Sequence, residues 1–334
     1  MRSTLLLAAG LALGATACGE ETNHETPGTG GAPNEGGGGD GTGASGGGTG
    51  DGGSTGSFGT GGGGGAESGC KKVDFLFVID NSVSMNDEQD ALVASFPGFM
   101  ETIQSTITAT SDYHTLVADT DAWGRCNTAN PWTGETPTNP TCNDYIEATV
   151  FEECDRVRGA GVVHPAGELA SNMKCDVFGG NRYIVQDDPD AAATFACMAK
   201  VGTAGHPSER PIEAIVGAVS PDLNGAEGCN AGFLRSDAVL VITFISDDPN
   251  YEDTGTPQSW YDAVVAAKGG NAEAVVVLGL TPYDGGTAGA HWHEFIGLWG
   301  ARGLEASVAL PDYTPFFSDA VALIDDTCEQ FVPR

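Results

Sequence analysis

Apolar positions along the chain gather in short runs separated by stretches of helical spacing. From Val73 to Ile79 the sequence is almost uninterruptedly apolar, with Phe75, Phe77, Val78 and Ile79, which predicts a strand buried on both faces. A helix is expected from near Asn86, carrying Ala91, Leu92, Val93 and Phe96, and bending or breaking at Pro97, because proline removes a backbone donor. Further strands are predicted over Tyr113 to Ala118, Ala238 to Ile245, Ala274 to Leu278 and Ala306 to Leu310. The last three are separated by helix-like segments: one opened by Thr256 and Pro257, and one from His293 to Trp299. A terminal helix follows from Thr314 and Pro315 to about Phe331. This alternation predicts an α/β fold with a doubly wound, mostly parallel sheet.

Between Asp121 and Asp190 the pattern gives way to turn-rich sequence holding Cys126, Cys142, Cys154 and Cys175. That is long for a loop without secondary structure, so residues 122 to 189 are read as a disulfide-stapled insertion. Ligands of open parallel sheets sit outside the carboxyl ends of the strands, and the insertion either flanks such a surface or decorates an edge.

Composition divides the chain. Half of its 50 glycines crowd into the first 65 of 334 positions, and residues 18 to 69 read as a low-complexity tether. Such a segment cannot offset its own ordering entropy; as a flexible coil of about 50 residues it spans roughly 40 Å. Ahead of it, Arg2, the apolar run Leu5 to Leu13 and the small residues Gly14 to Ala17 have the layout of a cleaved signal over residues 1 to 17. That run is well short of the roughly 20 residues a membrane-spanning helix needs. Residues 70 to 334 remain for a single domain.

The sequence Ala15, Thr16, Ala17, Cys18 resembles a lipobox, which implies diacylation of Cys18 and a membrane anchor. Alanine at position 15, where leucine is usual, leaves ordinary cleavage after Ala17 as the alternative. In similar Gram-negative lipoproteins an aspartate after the cysteine retains the chain at the inner membrane. Gly19 here implies the outer membrane of the cell envelope, on its periplasmic or its surface face.

Charge and cysteines narrow the partners. A net charge of -32, from 46 acidic against 14 basic residues, repels phosphate backbones and argues against nucleic acid. It favours cations, or simply solvates an exported protein. Of nine cysteines, eight remain after Cys18, an even number that suggests disulfides in an exported chain. Zinc is the competitor, but Cys126, Cys142, Cys154, Cys175, Cys197 and Cys229 contain no pair at knuckle spacing.

At the end of the first predicted strand stand Asp80, Asn81, Ser82, Val83, Ser84 and Met85, an Asp-x-Ser-x-Ser pattern in a strand-to-helix turn. Alternate oxygens in such a turn can point at one hard cation, although helix capping by Ser84 explains the same residues. The strand Ala238 to Ile245 also ends in an acidic loop, with Asp247, Asp248, Glu252 and Asp253. Together these resemble the von Willebrand factor type A (VWA) family over roughly residues 72 to 330. Its metal-ion-dependent adhesion site combines Asp-x-Ser-x-Ser with an aspartate after a later central strand.

The resemblance implies a Rossmann-like fold and a Mg2+ or Ca2+ ion touched directly by Ser82 and Ser84. Asp80 and Asp247 act mainly through waters in that scheme, with Asp248 as the alternative to Asp247. The family's third element is a threonine before a helix. The matching segment here, Gly205 to Ala214, has none and places Glu209 there, beside Ser208. Glu209 would tighten the metal and weaken its pull on an outside carboxylate, or else it merely opens a helix. The resemblance also implies a Cys70 to Cys328 bridge, worth about 4 to 5 kcal/mol in the chain-entropy model. Cys175 with Cys197, and Cys126 with Cys142 or Cys154, are further candidate pairs.

The expected function is therefore a lipid-anchored, cation-dependent binding module for a protein or polysaccharide, and not an enzyme. Two rivals stand beside it. One is a metal-assisted hydrolase using Asp80, Asp247 and Glu209; the other is a structural cation with recognition by the insertion. Phosphate-loop and His-Glu-x-x-His motifs are absent from the sequence, and the Gly-x-Ser-x-Gly pattern of a nucleophile elbow occurs only within the glycine-rich tether, where composition explains it. His291, His293 and Glu294 invite zinc, but residues two apart do not share a helix face. Asp119, Thr120 and Asp121 rank as second-tier site candidates, and His24, His114, His164 and His206 receive no role.

Overall fold

β1 (Lys72–Ile79) is buried from Val73 onward, and its alternating side chains feed two separate cores. Phe75, Phe77 and Ile79 pack on one side with α1 (Asn86–Thr106), α2 (Ala191–Ala199) and α7 (Thr314–Gln330). Leu76 and Val78 pack on the other with α3 (Pro211–Ala218), α5 (Pro257–Ala267) and α6 (Ala290–Gly297). A strand buried on both faces has no polar alternation to display, which is why its sequence is an unbroken apolar run. The computed structural model describes residues 70–106, 112–122, 151–206, 209–249 and 252–333. The signal segment, Cys18, the tether, Cys126, Cys142 and Ser208 lie outside the described residues. No described helix is long and apolar enough to cross a membrane.

With β2 (Asp112–Asp119), β3 (Ile184–Val185), β4 (Val239–Ile245), β5 (Val275–Thr281) and β6 (Gly303–Ser307), the described residues form a six-stranded α/β sheet in the order β3-β2-β1-β4-β5-β6. Every pairing is parallel except β2 with β3. A short helix, α4 (Pro221–Asn224), precedes the loop into β4. The sequence runs outward from β1 to β2, then returns to the other side of β1 for β4, β5 and β6. The order reverses between β1 and β4, and that crevice is where open parallel sheets take ligands.

Three elements differ from expectation. α1 continues through Pro97 for 21 residues; Phe96, Phe99, Met100 and Ile103 are all buried, and Phe96 stacks on Phe195 at 3.5 Å, so packing outweighs the lost backbone bond. β6 lies over Gly303–Ser307 and not over 306 to 310, because it is an edge strand that carries polar Glu305, whose Oε1 accepts from the Thr281 hydroxyl at 2.6 Å. α6 begins at Ala290 and ends at Gly297, ahead of the predicted span.

The described part of the insertion is not structureless. It supplies two short 3-10 turns and β3, which covers the free edge of β2. Disulfides join Cys70 to Cys328, Cys175 to Cys197 and Cys154 to Cys229. The expected Cys126 to Cys154 pairing is thereby corrected. Asn230 draws the two bridged segments together, donating to the Gly159 carbonyl and accepting from Gly161 N, both at 2.9 Å.

Inside the insertion Asp155, fully buried, accepts from His164 Nδ1 at 2.9 Å and pairs with Arg182 Nη2. Burial opposes its ionisation, but the His164 bond and the Arg182 charge outweigh it and hold the carboxyl below the usual aspartate range. A depressed folded pKa contributes stability that is complete above about pH 4, the unfolded range, and lost as the pH falls through the lower folded value. Asp155→Asn is expected to cost about 3 kcal/mol at pH 7, with the gap to wild type closing as the pH drops below about 4. Urea unfolding at stepped pH checks this; an unchanged gap down to about pH 2 rejects it.

Candidate metal centre

The β1 ladder runs one bond past the strand, Asp80 N donating to the Ile245 carbonyl at 3.0 Å, so the loops after β1 and β4 leave the sheet side by side. Asp80 is fully buried. Its Oδ1 accepts from Ser82 N at 2.7 Å and its Oδ2 from the Ser246 hydroxyl at 2.6 Å. Ser84 Oγ donates to Asp247 Oδ1 at 2.9 Å and lies 3.4 Å from Ser82 Oγ. Asp247 thus places its carboxylate on the Asp-x-Ser-x-Ser turn. Asp248 donates its backbone N–H to Ser246 Oγ at 3.3 Å.

Glu209 enters from the loop ahead of α3 and is fully buried. Its Oε2 contacts the Thr120 hydroxyl, while Oε1 has no hydrogen-bond partner. It does not cap the helix it precedes: Asp253 takes that part, Oδ1 accepting from Glu213 N at 2.7 Å and Oδ2 from Trp292 Nε1 at 3.2 Å. Asn81 Nδ2 donates to Asp121 Oδ1 at 3.0 Å, which turns Asn81 Oδ1 toward Thr120 Oγ1 at 3.1 Å. Thr120 has one hydroxyl proton for two facing oxygens, so both contacts are favourable only when Glu209 carries a proton and donates it.

The electrostatics agree with that arrangement. Burial pushes Asp80 up to about 7 against the pull of the Ser246 hydroxyl and the Ser82 amide, and the charge of Asp247 adds to the rise. Burial likewise lifts Glu209 well above the usual glutamate range, reinforced by repulsion from Asp80, Asp121 and Asp248. A bound cation would relieve both. Among the described residues no three His, Cys, Asp or Glu side chains stand as a ready metal-binding group. The donors gathered here are of mixed kind, with Ser82, Ser84 and Thr120 hydroxyls beside Asp80, Glu209 and Asp247. Buried carboxylates raised in pKa, with one oxygen of Glu209 unpartnered, fit a hard cation in chemistry.

Residues outside the motif hold the loops in place. The buried Gln89 amide donates to the carbonyls of Asp80 at 3.1 Å and Gly202 at 2.8 Å and accepts from Gly202 N at 3.1 Å. Gly205 N donates to the Asn81 carbonyl at 2.7 Å, and a Cβ at Gly205 would stand 2.1 Å from Asn81 Oδ1. Asp121 Oδ2 accepts from His206 N at 2.5 Å. Thr120 and Asp121, second-tier candidates by sequence, stand within the cluster, and Asn81, Ser246, Gln89 and Gly205 join them without having been foreseen. Ser246 had a signal, adjacent to Asp247 in the β4 loop; Gln89 had none. His291 and His293 both lie on α6, and His293 bonds Glu305 at 2.5 Å, away from these loops.

No family model and no curated protein matches the chain. Among solved structures, proximal thread matrix protein 1 (PTMP1) from the mussel byssus is similar at a TM-score of 0.36 and 10% identity. The alignment covers 77% of this chain and 49% of that one, so the chain spans about half the length of that protein. Nothing about the site is carried over at this level of similarity.

Replacing Gln89 with leucine leaves a buried N–H and two buried carbonyls without their partner, at a cost of about 2 to 3 kcal/mol. The loop from Gly202 to Gly205 is expected to loosen first. Amide hydrogen exchange at Gly202 should accelerate far more than exchange in the middle of β4; equal acceleration at both would show global destabilisation and sink the clamping role.

Proposed function

We propose that residues 70 to 334 form a VWA-like, Rossmann-like doubly wound domain that holds Mg2+ or Ca2+ and binds an extracytoplasmic partner through that face. The cation would be held by Asp80, Ser82, Ser84, Glu209 and Asp247, and it would supply Lewis acidity at an open position. The observation that carries this reading is the meeting of Ser84 with Asp247 above buried Asp80, beside a glutamate oxygen without a partner. Hydroxyl ligands cancel little of a cation's charge, which suits binding more than turnover. A lipid anchor at Cys18 and the glycine-rich tether would present the domain in the cell envelope, at the outer membrane.

The test is thermal unfolding of the oxidised chain in chelator and then in magnesium or calcium. At about a hundredfold excess over Kd the cation should add about 2.7 kcal/mol. The Ser82→Ala, Ser84→Ala double variant should lose that increment, each protein being compared with its own unfolding in chelator because Ser82 is buried. No cation effect on wild type overturns the site.

A further inference from the structure

We infer that the partner of this face is a neutral, hydroxyl-rich polysaccharide, and not an acidic protein or an anionic polymer; this rests on the cation site proposed above. Asp247 and Asp248 line the mouth of the site, and Asp80 and Glu209, the latter with its Oε1 unpartnered, are fully buried. A divalent cation seated there would lie below a rim that carries the Asp247 and Asp248 carboxyl groups, past which any ligand has to approach. The chain around it, at -32, adds to the same field. An arriving carboxylate would meet that surplus, whereas uncharged oxygens can complete a hard cation's coordination without adding to it.

Shape points the same way. Above the site lies a shallow hollow of about 230 Å³ lined by Ser82, Val83, Ser84, Asp247, Asp248 and Pro249. Val83 is 80% exposed at the tip of the motif turn, an unusual place for an aliphatic side chain, and Pro249 is exposed across from it. A sugar ring matches both features. Adjacent hydroxyls supply paired neutral oxygens, and the C–H face of the ring packs on apolar lips while Asp247 and Asp248 accept from the remaining hydroxyls. Glu209 is the residue that sets this preference, because it fills with a carboxylate a position where a neutral donor would leave the cation more electropositive.

The experiment retains the full chain on immobilised neutral polymers (mannan, galactan, dextran) and on anionic ones (polygalacturonate, polyglutamate), in calcium, in magnesium and in chelator. Melting temperature is followed in parallel. Cation-dependent retention on a neutral polymer is expected, released by chelator and absent from the Ser82→Ala, Ser84→Ala variant. Val83→Ser should weaken it about tenfold, and Glu209→Thr should raise retention on the anionic polymers by a similar factor. A cation shift in melting without retention on any neutral polymer overturns the inference and leaves the cation site standing, as does stronger retention on the anionic set. The absence of any melting shift brings down the site itself.

Discussion

Two carboxyl groups buried at the carboxyl end of β1, Asp80 and Glu209, bonded by amides and hydroxyls and by no basic side chain, are the constraint around which the molecule is arranged. The same strand shows the ordinary solution six residues earlier. Asp74 is equally buried, but Arg235 meets it with Nε at 2.7 Å and its backbone N at 2.8 Å. Burial still lifts Asp74 to about 6 against that cation. Asp80 receives the Ser82 amide and the hydroxyls of Ser246 and Ser82, and Glu209 a hydroxyl. Isolated buried carboxylates answer burial by taking up protons, or they remain ionised beside a cation. The chain supplies polar donors that hold the acids in place and leaves the charge to be met from outside.

Parallel topology is what brings those acids together. Ile79 pairs with Ile245, so the two strands end level, and the turns after them carry Ser82, Ser84 and Asp247 into contact across 163 positions of sequence. β2 ends level with β1 as well, Asp119 opposite Ile79, which sets Thr120 and Asp121 beside Asn81. Three strand ends therefore contribute to one polar cluster, while Glu209 comes from a loop that belongs to no strand. The buried hydroxyl of Thr120 is the joint between the two sources.

What is legible in the sequence follows from this division. β1, β4 and β5 read as apolar runs because both of their faces are covered, and the ends of β1 and β4 mark Asp80 and Asp247 without any structure. β6 escapes correct placement because an edge strand is only partly buried, and its polar Glu305, bonded to Thr281, interrupts the apolar run that would otherwise mark it. β3 leaves no trace because two residues in a turn-rich segment carry no period. Gln89, Asn81 and Gly205 are illegible as supports because their partners are backbone atoms and distant side chains, which no local pattern encodes. The Cys154 to Cys229 bridge is hidden for the same reason.

The insertion belongs to the site's support and does more than decorate an edge. The Glu168 carbonyl accepts from Thr203 N at 2.7 Å, and Ser171 N donates to the Lys200 carbonyl at 3.0 Å. The Cys175 to Cys197 bridge ties the same loop to α2, whose end leads into Val201 and Gly202. On its other side Gly202 is gripped by Gln89, which also holds the Asp80 carbonyl. The segment that delivers Glu209 is thus fastened between the motif turn and a disulfide-bonded loop. Leu169 and Asn172 hold positive φ of 59° and 52° within that loop, a conformation asparagine adopts readily and leucine rarely. Asn172 bonds Gly167 through both its side-chain oxygen and nitrogen at 2.9 Å. A glutamate that must stay buried next to other acids needs the chain ahead of it held in place, and the described part of the insertion fastens that chain at Lys200 and Thr203.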